Sequence, residues 1–379
     1  MNKQNLAVTH VYRTYFPDPP GGLQEAIRQI ALATTQQGIA NTVYTLSTQP
    51  EPRVLERPEG WVVREKSWAE PASCNLGGAA AFATFSSLAK KSDVMHYLFP
   101  WPFADLLHAV VRPERPAVMT YISDVVRQRW LGAAYAPLMW RTLKQMKLIV
   151  ANSPAYAVTS PVLSHPDIRD KVRMIPLGIE ESSYDKLGDS AVLERLGLEK
   201  KEPFFLFIGV LRYYKGAHFL IKAAKDLGAK VVIAGAGPEG EGLRALSAEV
   251  ATSNVVFAGQ VTDAEKVALL HACRALVLPS HLRSEAYGMV LVEAAMFGKP
   301  LISCEIGTGT SFVNAHEQTG FVVAPQATEE LSVAMKTLLK DEQLAQVMGR
   351  AARDRYERLF SGPALGRAYA ELFREVASG

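Results

Sequence analysis

Short apolar runs alternate with amphipathic stretches along most of the chain. The runs predict two series of β-strands, at Leu6–Tyr12, Thr42–Leu46, Val94–Phe99, Ala117–Ile122, Leu148–Asn152 and Val172–Pro176, then at Phe204–Leu211, Lys230–Ala234, Val255–Phe257, Ala275–Pro279, Pro300–Cys304 and Phe321–Val323. Apolar residues recur at helical spacing between them, as in Leu23–Gly38, Phe219–Leu227, Ala264–Cys273 and Met289–Phe297. Strands that alternate with helices predict an α/β fold with parallel sheets covered by helices on both faces.

A polar, glycine-containing connection separates the two strand series. We expect residues 1–180 to form an N-terminal Rossmann-like domain and 181–203 to form a linker with one short helix at Ala191–Leu196. Residues 204–325 would form a second Rossmann-like domain, and 326–379 a helical tail. Two doubly wound domains facing each other would enclose a central cleft at the carboxyl ends of their strands, where open α/β sheets bind ligands.

Composition excludes several classes of protein. The chain has 379 residues, of which 48% are hydrophobic and 21% charged, and this argues against disorder, collagen and coiled coil. No apolar run has the length of a membrane-spanning helix, and the N-terminus has no apolar segment of signal-peptide length. The three cysteines, Cys74, Cys273 and Cys304, show no CxxC spacing and predict neither a disulfide framework nor a zinc site. We therefore expect a cytoplasmic protein.

Positive charge is concentrated in the first half of the chain. Residues 1–180 contain 19 Lys and Arg against 14 Asp and Glu, whereas residues 181–379 contain 22 and 24. Between Asp124 and Asp167 no acid occurs, but several cations do, namely Arg127, Arg129, Arg141, Lys144 and Lys147. This basic segment, Arg127–Lys147, either faces phosphates or an anionic membrane or is a solvated helix face. A pI of 8.6 does not favour nucleic acid as a partner.

The segment SEAYGMVLVEAAMFGKP contains two glutamates, Glu285 and Glu293, on either side of a predicted helix start at Gly288. The first amides of that helix, at Gly288, Met289 and Val290, suit a pyrophosphate because they have no partner within the helix. Glu293 can bond a ribose diol, and Glu285 can reach the group attached to the phosphate. An ordinary amphipathic helix with two exposed acids is the alternative.

The segment FIGVLRYYKG places two cations, Arg212 and Lys215, where a predicted strand ends at Gly209. Cations at this point can offset the charge that develops on a leaving diphosphate, with the arginine binding as a fork and the lysine as a point charge. Surface cations on a loop are the alternative.

Other motifs carry less information. The glycines of VVIAGAGPEGEGL lack the spacing of a dinucleotide fingerprint, and we interpret them as a loop that lets a ligand approach closely. Gly21 and Gly22 precede a predicted helix in a turn that can bind an anion. His10 and His96 lie on apolar strands, where hydrogen-bonded core histidines are expected. No HExxH, GxSxG or Walker pattern occurs, so the sequence predicts no metal site and favours neither a hydrolase nor a P-loop NTPase.

Together these segments resemble the retaining glycosyltransferases of family four (group 1), which have the two-domain GT-B fold. The match is strongest from Phe204 to Val323, where FIGVLRYYKG, VVIAGAGPEGEGL, NVVFAGQV, ALVLPSHLRSEAYGMVLVEAAMFGKPLI and TGFVV occur in family order. In the first half, HVYRTYFPDPPGGLQEAIRQIA, DVMHYLFPWPFADLL, TYISDVVRQRW and VANSPAY are similar to the acceptor domain of bacterial O-antigen and polysaccharide enzymes.

The resemblance implies a role for each matching residue. Glu285 would contact the donor sugar and Glu293 the ribose. Lys215, with Arg212, would neutralise the pyrophosphate. The backbone of Val261 would meet the base.

In the first half of the chain, the resemblance implies that Gly22 approaches the donor phosphate from the other domain. It also implies that the C-terminal tail crosses back to brace the N-terminal domain. Relatives commonly have a histidine near the reacting sugar where this chain has Ile122, and we take Asp124 as a catalytic candidate in its place. Val210 occupies a position where the family usually has arginine, which is displaced here to Arg212.

The resemblance implies transfer of a hexose, mannose or rhamnose, from a GDP-sugar to a lipid-linked or growing saccharide at the inner membrane, with retention and without a metal ion or cofactor. Two alternatives stay open. One is another GT-B enzyme, such as a nucleotide-sugar epimerase or a phosphorylase. The other is a degenerate subunit that binds nucleotide sugar and scaffolds a partner transferase, which Ile122 and Val210 favour.

Overall fold

A computed structural model describes residues 6–18, 21–71, 74–124, 129–184, 188–199, 202–250 and 253–379, with the backbone alone for 129–134. The chain divides into two units. The N-terminal unit is Met1–Glu180 together with Gly362–Gly379, and the C-terminal unit is Glu181–Ser361. Arg127 of the basic segment lies outside the described residues.

Both series of predicted strands are present. In chain order the strands are β1 (Ala7–Val11), β2 (Ala40–Ser47), β3 (Val54–Arg57), β4 (Gly60–Ala69), β5 (Leu76–Gly77), β6 (Val94–Phe99), β7 (Ala117–Tyr121), β8 (Leu148–Ala151), β9 (Val172–Met174), β10 (Phe204–Ile208), β11 (Lys230–Ala234), β12 (Val255–Gly259), β13 (Ala275–Leu278), β14 (Leu301–Cys304) and β15 (Gly320–Val323).

The helices connect these strands and end the chain. They are α1 (Gly22–Thr35), α2 (Ala79–Lys91), α3 (Pro102–Val111), α4 (Arg129–Gln145), α5 (Pro154–Thr159), α6 (Ala191–Arg195), α7 (Ala217–Ala223), α8 (Gly240–Glu249), α9 (Asp263–Ala272), α10 (Met289–Met296), α11 (Thr310–Val313), α12 (Thr328–Lys340), α13 (Glu342–Arg355) and α14 (Gly362–Ser378). A π-helical turn, Tyr356–Phe360, follows α13.

The sheet of the N-terminal unit has the strand order β3-β4-β2-β1-β6-β7-β8-β9, with β5 paired to β4. From β4 to β9 every neighbouring pair along this order is parallel, whereas β3 and β5 each run antiparallel to β4. The central strand β6 is buried along its whole length, as its unbroken apolar sequence predicts. The carboxyl ends of the parallel strands therefore share one edge, and Asp124 follows β7 at that edge.

Helix α14 comes from the end of the chain but belongs to the N-terminal unit. A Cβ atom on Gly366 would lie 2.4 Å from the carbonyl oxygen of Ala33, so this glycine brings the helix against α1. The Tyr369 hydroxyl bonds Thr120 at 2.9 Å, and Arg374 donates to the carbonyl of Gln37 at 2.6 Å. These contacts tie α14 to both α1 and β7.

The sheet of the C-terminal unit is entirely parallel, in the order β12-β11-β10-β13-β14-β15. The predicted strand Phe204–Leu211 ends early, at Ile208, because Gly209 takes a φ of 154° and turns the chain out of the sheet. The segments that follow β10, β12 and β13 all leave the same edge, and they contain Lys215, Val261 and Glu285.

Candidate active site

Three loops are held together at the carboxyl edge of the C-terminal sheet. The amide of Leu211, after β10, donates to the carbonyl of Ala236, after β11, at 3.0 Å. The amide of His281, after β13, donates to the carbonyl of Tyr214 at 3.0 Å. Gly216 has a φ of 71°, and a Cβ there would lie 2.0 Å from the carbonyl oxygen of Pro279. The loop that contains Lys215 is therefore fixed between its two neighbours.

The glycine-rich loop after β11 serves this packing. A Cβ atom on Gly235 would lie 2.0 Å from the carbonyl oxygen of Gly209, and one on Gly237 would lie 2.5 Å from that of Leu211. We interpreted these glycines as giving a ligand room to approach. At Gly235 and Gly237 that room is instead occupied by the backbone of the loop after β10.

Lys215 and Glu285, which are 70 residues apart in sequence, form a hydrogen-bonded ion pair. Their side chains are 14% and 10% exposed. Burial by itself would lower the pKa of Lys215, but Glu285, together with Tyr214 and Glu293, outweighs it and holds that pKa above the usual lysine value. Ser280 donates to the same carboxylate at 3.2 Å, and Thr308 donates to the Glu285 backbone carbonyl at 2.8 Å.

Glu293 is held by two residues that the sequence analysis missed. The Tyr184 hydroxyl donates to it at 2.5 Å and Lys266 Nζ at 3.0 Å. Burial would lower the pKa of Lys266, but the carboxylates of Glu293 and Asp263 together more than offset this, and the pKa is raised. A lysine in the first turns of α9 and a tyrosine in a polar connection have no distinctive spacing relative to Glu293, so the sequence contains no signal for them.

Both carboxylates are anchored through one oxygen. Lys215 and Ser280 both bond Oε2 of Glu285, and Tyr184 and Lys266 both bond Oε1 of Glu293. Among the described residues, no donor reaches Glu285 Oε1 or Glu293 Oε2. A carboxylate oxygen accepts hydrogen bonds from hydroxyls, so each acid retains one acceptor for a ligand.

Gly288 begins α10 in the left-handed conformation, with a φ of 83°. A Cβ atom there would lie 3.0 Å from Leu291 Cδ1 and 3.1 Å from Leu278 Cδ2, so both the left-handed φ and the tight contacts favour glycine. The following amides, of Met289 and Val290, are the first of the helix and have no acceptor within it. They lie between Glu285 and Glu293 in sequence, as predicted.

Arg212 and Val261 lie on loops of the same edge. Arg212 is exposed, and no described residue accepts a hydrogen bond from its guanidinium. Val261 follows β12 and precedes Thr262 in the chain, and it is half-buried. Thr262 and Glu265 form a reciprocal capping box that starts α9, the helix that contains Lys266.

In the N-terminal unit, Asp124 belongs to a network of hydroxyl groups. Its Oδ1 accepts from Ser160 at 2.6 Å and from Tyr121 at 3.1 Å, and its amide donates to the Tyr156 hydroxyl at 2.6 Å. Burial raises the pKa of Tyr121 above its ordinary value, so that phenol stays protonated and donates. Ile122, where relatives commonly have histidine, is buried.

Gly21 and Gly22 start α1 without a side-chain cap. A Cβ atom on Gly22 would meet nothing within 4 Å, whereas one on Gly21 would meet only the flexible end of Gln24. Among the described residues of the N-terminal unit, nothing in the packing requires glycine at position 22.

His10 and His96 are hydrogen-bonded core residues, as predicted. Their Nδ1 atoms are 2.8 Å apart, and both rings are fully buried. The pKa of His10 falls to about 4 because of burial, and burial and the His10 ring also lower the pKa of His96.

The described residues offer neither a metal-binding cluster nor a membrane-spanning helix. No group of three or more His, Cys, Asp or Glu side chains among them could hold a metal ion. Within the same residues, no helix has the length and apolar character needed to cross a bilayer.

The sequence matches two family models, Glycosyl transferases group 1 over residues 191–355 and Glycosyltransferase Family 4 over residues 20–183. It is 43% identical over 360 residues to the D-rhamnosyltransferase WbpZ of Pseudomonas aeruginosa, covering 94% of this chain and 92% of the relative. It is 39% identical over 368 residues to the O-antigen chain mannosyltransferase C of Escherichia coli, covering 97% and 98%.

Solved structures show the same fold at low sequence identity. Sucrose-phosphate synthase from Thermosynechococcus elongatus has a TM-score of 0.78 at 21% identity, covering 98% of this chain and 99% of the other. Anabaena HepE in complex with UDP and glucose has a TM-score of 0.77 at 19% identity, covering 98% and 100%.

Proposed function

This chain belongs to the group 1, family 4 glycosyltransferases, and on that premise we propose that it transfers mannose or rhamnose from a GDP-sugar to a lipid-linked or growing saccharide of O-antigen synthesis. The observation that carries the proposal is the similarity, over nearly the whole chain, to one relative named a D-rhamnosyltransferase and another named an O-antigen chain mannosyltransferase. The GDP-linked donor follows from the resemblance to enzymes of this kind.

The arrangement in the C-terminal unit supports a donor site. The proposal assigns the pyrophosphate to the first amides of α10 and to Lys215, whose ammonium has three N–H donors and uses one on Glu285. Glu293 Oε2 would accept from the ribose hydroxyls while its other oxygen is anchored. Glu285 Oε1 would accept from the sugar. Arg212, exposed and unpaired among the described residues, would add a second cation.

We propose transfer with retention, on one face of the sugar. The bond from the anomeric carbon to the leaving phosphate oxygen breaks, the acceptor oxygen bonds that carbon from the same side, and the phosphate takes the proton of the acceptor hydroxyl. Lys215 and Arg212 would stabilise the charge on the phosphate as it leaves, which is the usual role of fixed cations at such a centre. Asp124 is the candidate in the N-terminal unit for orienting the acceptor.

The acceptor class suggests contact with an anionic inner membrane from the cytoplasmic side. The basic segment contains Arg141, Lys144 and Lys147 within the described residues, and Lys144 pairs with Asp167 at 2.7 Å. Polybasic segments bind anionic lipids in a salt-dependent manner. Membrane association that is insensitive to salt, or no association, would count against this part of the proposal.

The experiment is thermal unfolding of the purified chain with GDP, UDP, ADP and dTDP. A ligand at a hundred times its dissociation constant stabilises by about 2.7 kcal/mol, which is readily seen. We expect a shift selective for GDP that Glu293→Gln reduces and that Glu249→Gln, an exposed acid on α8, leaves unchanged. Release of GDP with a new glycosidic bond on a lipid-linked acceptor would then exclude an epimerase or a phosphorylase.

The degenerate subunit is the second candidate, and the buried Ile122 favours it. It predicts nucleotide binding without transfer. A selective shift by another nucleotide would replace the GDP assignment, and no shift with any nucleotide would refute the donor site.

A further inference from the structure

A basic pocket opens at the edge of the N-terminal sheet opposite to Asp124. It has a volume of about 610 Å³ and lies where β7, β8 and β9 begin and where α3 and α4 end. Five of its lining residues are cations, namely Arg112, Arg115, Arg141, Lys147 and Lys171. We call this the cationic pocket.

No acidic residue is among the described residues that line it. Two of the acids closest in sequence form ion pairs with cations that do not line the pocket. Asp170 pairs with Arg169 at 3.7 Å, and Asp167 pairs with Lys144 at 2.7 Å. Glu114 is exposed and does not line the pocket. The positive charges are therefore not neutralised by side chains within the pocket.

Cations near helix ends often complement the helix dipole, and this explains one of the five. Lys171 Nζ donates to the carbonyls of Lys144 and Met146, at 2.5 and 3.0 Å, and so caps the end of α4. Lys147 lies near the last residue, Gly379. The guanidinium groups of the three arginines, in contrast, bond no carbonyl or carboxylate among the described residues.

The conformation of Arg112 is a separate observation. It ends α3 with a φ of 49°, in the left-handed region where glycine is the favoured residue. An arginine at such a position is conformationally unfavourable. Its backbone amide donates to the carbonyl of His108 at 2.9 Å and closes the helix, but among the described residues its guanidinium forms no bond that would add compensation. A ligand for its guanidinium would provide that compensation.

We propose that the cationic pocket binds a phosphate group. Arginine forks bond phosphate oxygens in pairs, and several like charges in one concavity attract a multivalent anion and are stabilised by it. The group can belong to a soluble phosphate or to the head of an anionic phospholipid, because the chemistry is shared. The pocket is distinct from the donor site, and the proposal stands whether or not the GDP assignment is correct.

The test compares Arg115→Gln/Arg141→Gln with a control of equal charge loss in the same unit, Lys90→Gln/Lys91→Gln on α2. Binding is measured in two arms. One is calorimetric titration with pyrophosphate, and the other is co-sedimentation with vesicles of phosphatidylcholine and phosphatidylglycerol, against phosphatidylcholine alone. Pyrophosphate held at Lys215 is unaffected by either pair, so only the component lost in the arginine variant belongs to the pocket.

We expect the arginine pair to weaken binding about tenfold or more in at least one arm, as for the loss of charged hydrogen bonds, and the control to leave it unchanged. Loss with pyrophosphate identifies a soluble phosphate as the ligand, and loss with vesicles alone identifies a lipid head group. No loss in either arm, or an equal loss in the control, overturns the proposal.

Arg112→Gly separates binding from folding. Glycine suits the left-handed position, so the variant is expected to unfold at the same or a higher temperature than the wild type while binding the same probe more weakly. Unchanged binding in this variant, with unchanged binding in Arg115→Gln/Arg141→Gln, would show that the arginines serve the fold alone.

Discussion

At the scale of single residues, Lys215 combines a structural and a proposed chemical role that can be separated. Its charge is balanced by a nearly buried Glu285, so Lys215→Ala leaves an unpaired acid and is expected to destabilise the C-terminal unit by about 3 kcal/mol. It is also expected to lower turnover by about a hundredfold or more, because it removes a cation from the leaving phosphate.

Two further variants distinguish these effects. In Lys215→Ala/Glu285→Gln the acid is neutral, so the unfolding temperature should recover while turnover stays low. Lys222→Ala, an exposed lysine on α7, should change neither. Turnover measured as nucleotide release that is unchanged in Lys215→Ala would end the assignment of Lys215 to the leaving phosphate.

Gly22 offers a test in the N-terminal unit. A Cβ atom at position 22 meets no described residue within 4 Å, and alanine is the better helix former, so Gly22→Ala should raise stability slightly, by up to about 1 kcal/mol. If the glycine admits the donor phosphate, the same change should raise KM for the donor about tenfold. Gly242→Ala on α8 is the matched control, since its Cβ is equally unobstructed; it should leave KM unchanged. A Gly22→Ala enzyme with normal kinetics would remove this residue from the site.

The helix start that the sequence predicts at Gly288 is present in the structure. Gly288 begins α10 between the two glutamates with a φ of 83°, and the SEAYGMVLVEAAM pattern predicts the start of the helix but not this left-handed conformation. Tyr184 and Lys266 reach Glu293 only through folding of distant segments, 109 and 27 residues away. Contacts of that kind leave no local pattern, so sequence reasoning does not find them.

At the scale of elements, Asn41, His10, His96 and Thr120 form a chain of buried hydrogen bonds across the N-terminal sheet, which we call the buried polar chain. With neutral histidines, the positions of its protons follow from Asn41. Asn41 Nδ2 donates to the carbonyl of Ala31, so its Oδ1 accepts from His10 Nε2 at 2.9 Å. A neutral His10 then accepts at Nδ1 from His96 Nδ1, and His96 Nε2 accepts from Thr120 at 2.7 Å. If both histidines were charged, their two Nδ1–H groups would face each other at 2.8 Å without an acceptor.

The buried polar chain predicts that the folded protein loses stability in mild acid. The pKa of His10 is about 4 in the folded protein and 6.5 for a free side chain. Between these values the unfolded state binds more protons, so the free energy of unfolding falls as pH decreases through the window, by about 3 kcal/mol for His10. The lowered pKa of His96 acts in the same direction. Above about pH 6.5 this contribution is fully present.

Hydrogen exchange of peptides from β1 and β6, measured from about pH 7 to about pH 4.5 and corrected for intrinsic rates, locates the effect in the N-terminal unit. His10→Gln should flatten the dependence, whereas His316→Gln, on an exposed ring of the C-terminal unit, should not. A dependence that is the same in wild type and His10→Gln would contradict the assignment.

The strands β3, β4 and β5 were not predicted, and for β4 the reason is charge. In β4 the consecutive residues Arg64, Glu65 and Lys66 interrupt the apolar run on which strand prediction depends. Arg64 is nevertheless buried, because it bonds the carbonyl of Gln49 at 2.7 Å and the hydroxyl of Ser47 at 2.9 Å. Parallel strands that are covered on both faces have apolar sequences, and the sequence pattern predicts them. The strands of this edge region are stabilised by polar contacts, and the pattern does not predict them.

At the scale of the whole molecule, the ordered series of motifs predicted the family and the fold because it spans most of the chain. No single motif was specific enough. The sugar is proposed only from similarity to relatives, because no residue pattern in the sequence indicates which hexose hydroxyl groups the protein recognises.

The N-terminal unit is built from two ends of the chain, and this sets the order of its assembly. Helix α14 supplies Tyr369, which bonds Thr120, and Gly366, which lies against Ala33 of α1. These residues are synthesised after the whole C-terminal unit. The buried polar chain described above is therefore completed only when synthesis reaches the last helix.

Gly366→Leu tests the discontinuous unit in the full-length protein. A side chain there would meet the Ala33 carbonyl, with its Cβ at 2.4 Å, so α14 must move from α1. We expect a loss of about 2 kcal/mol and faster hydrogen exchange in α1, β6 and β7, without change in β13 and β14. Gly242→Leu, the same substitution at an open position of α8, should not accelerate exchange in the N-terminal unit. If exchange in α1 stayed at the wild-type rate in Gly366→Leu, the packing of the last helix would not be what stabilises this unit, and its early strands and helices would have to fold without it.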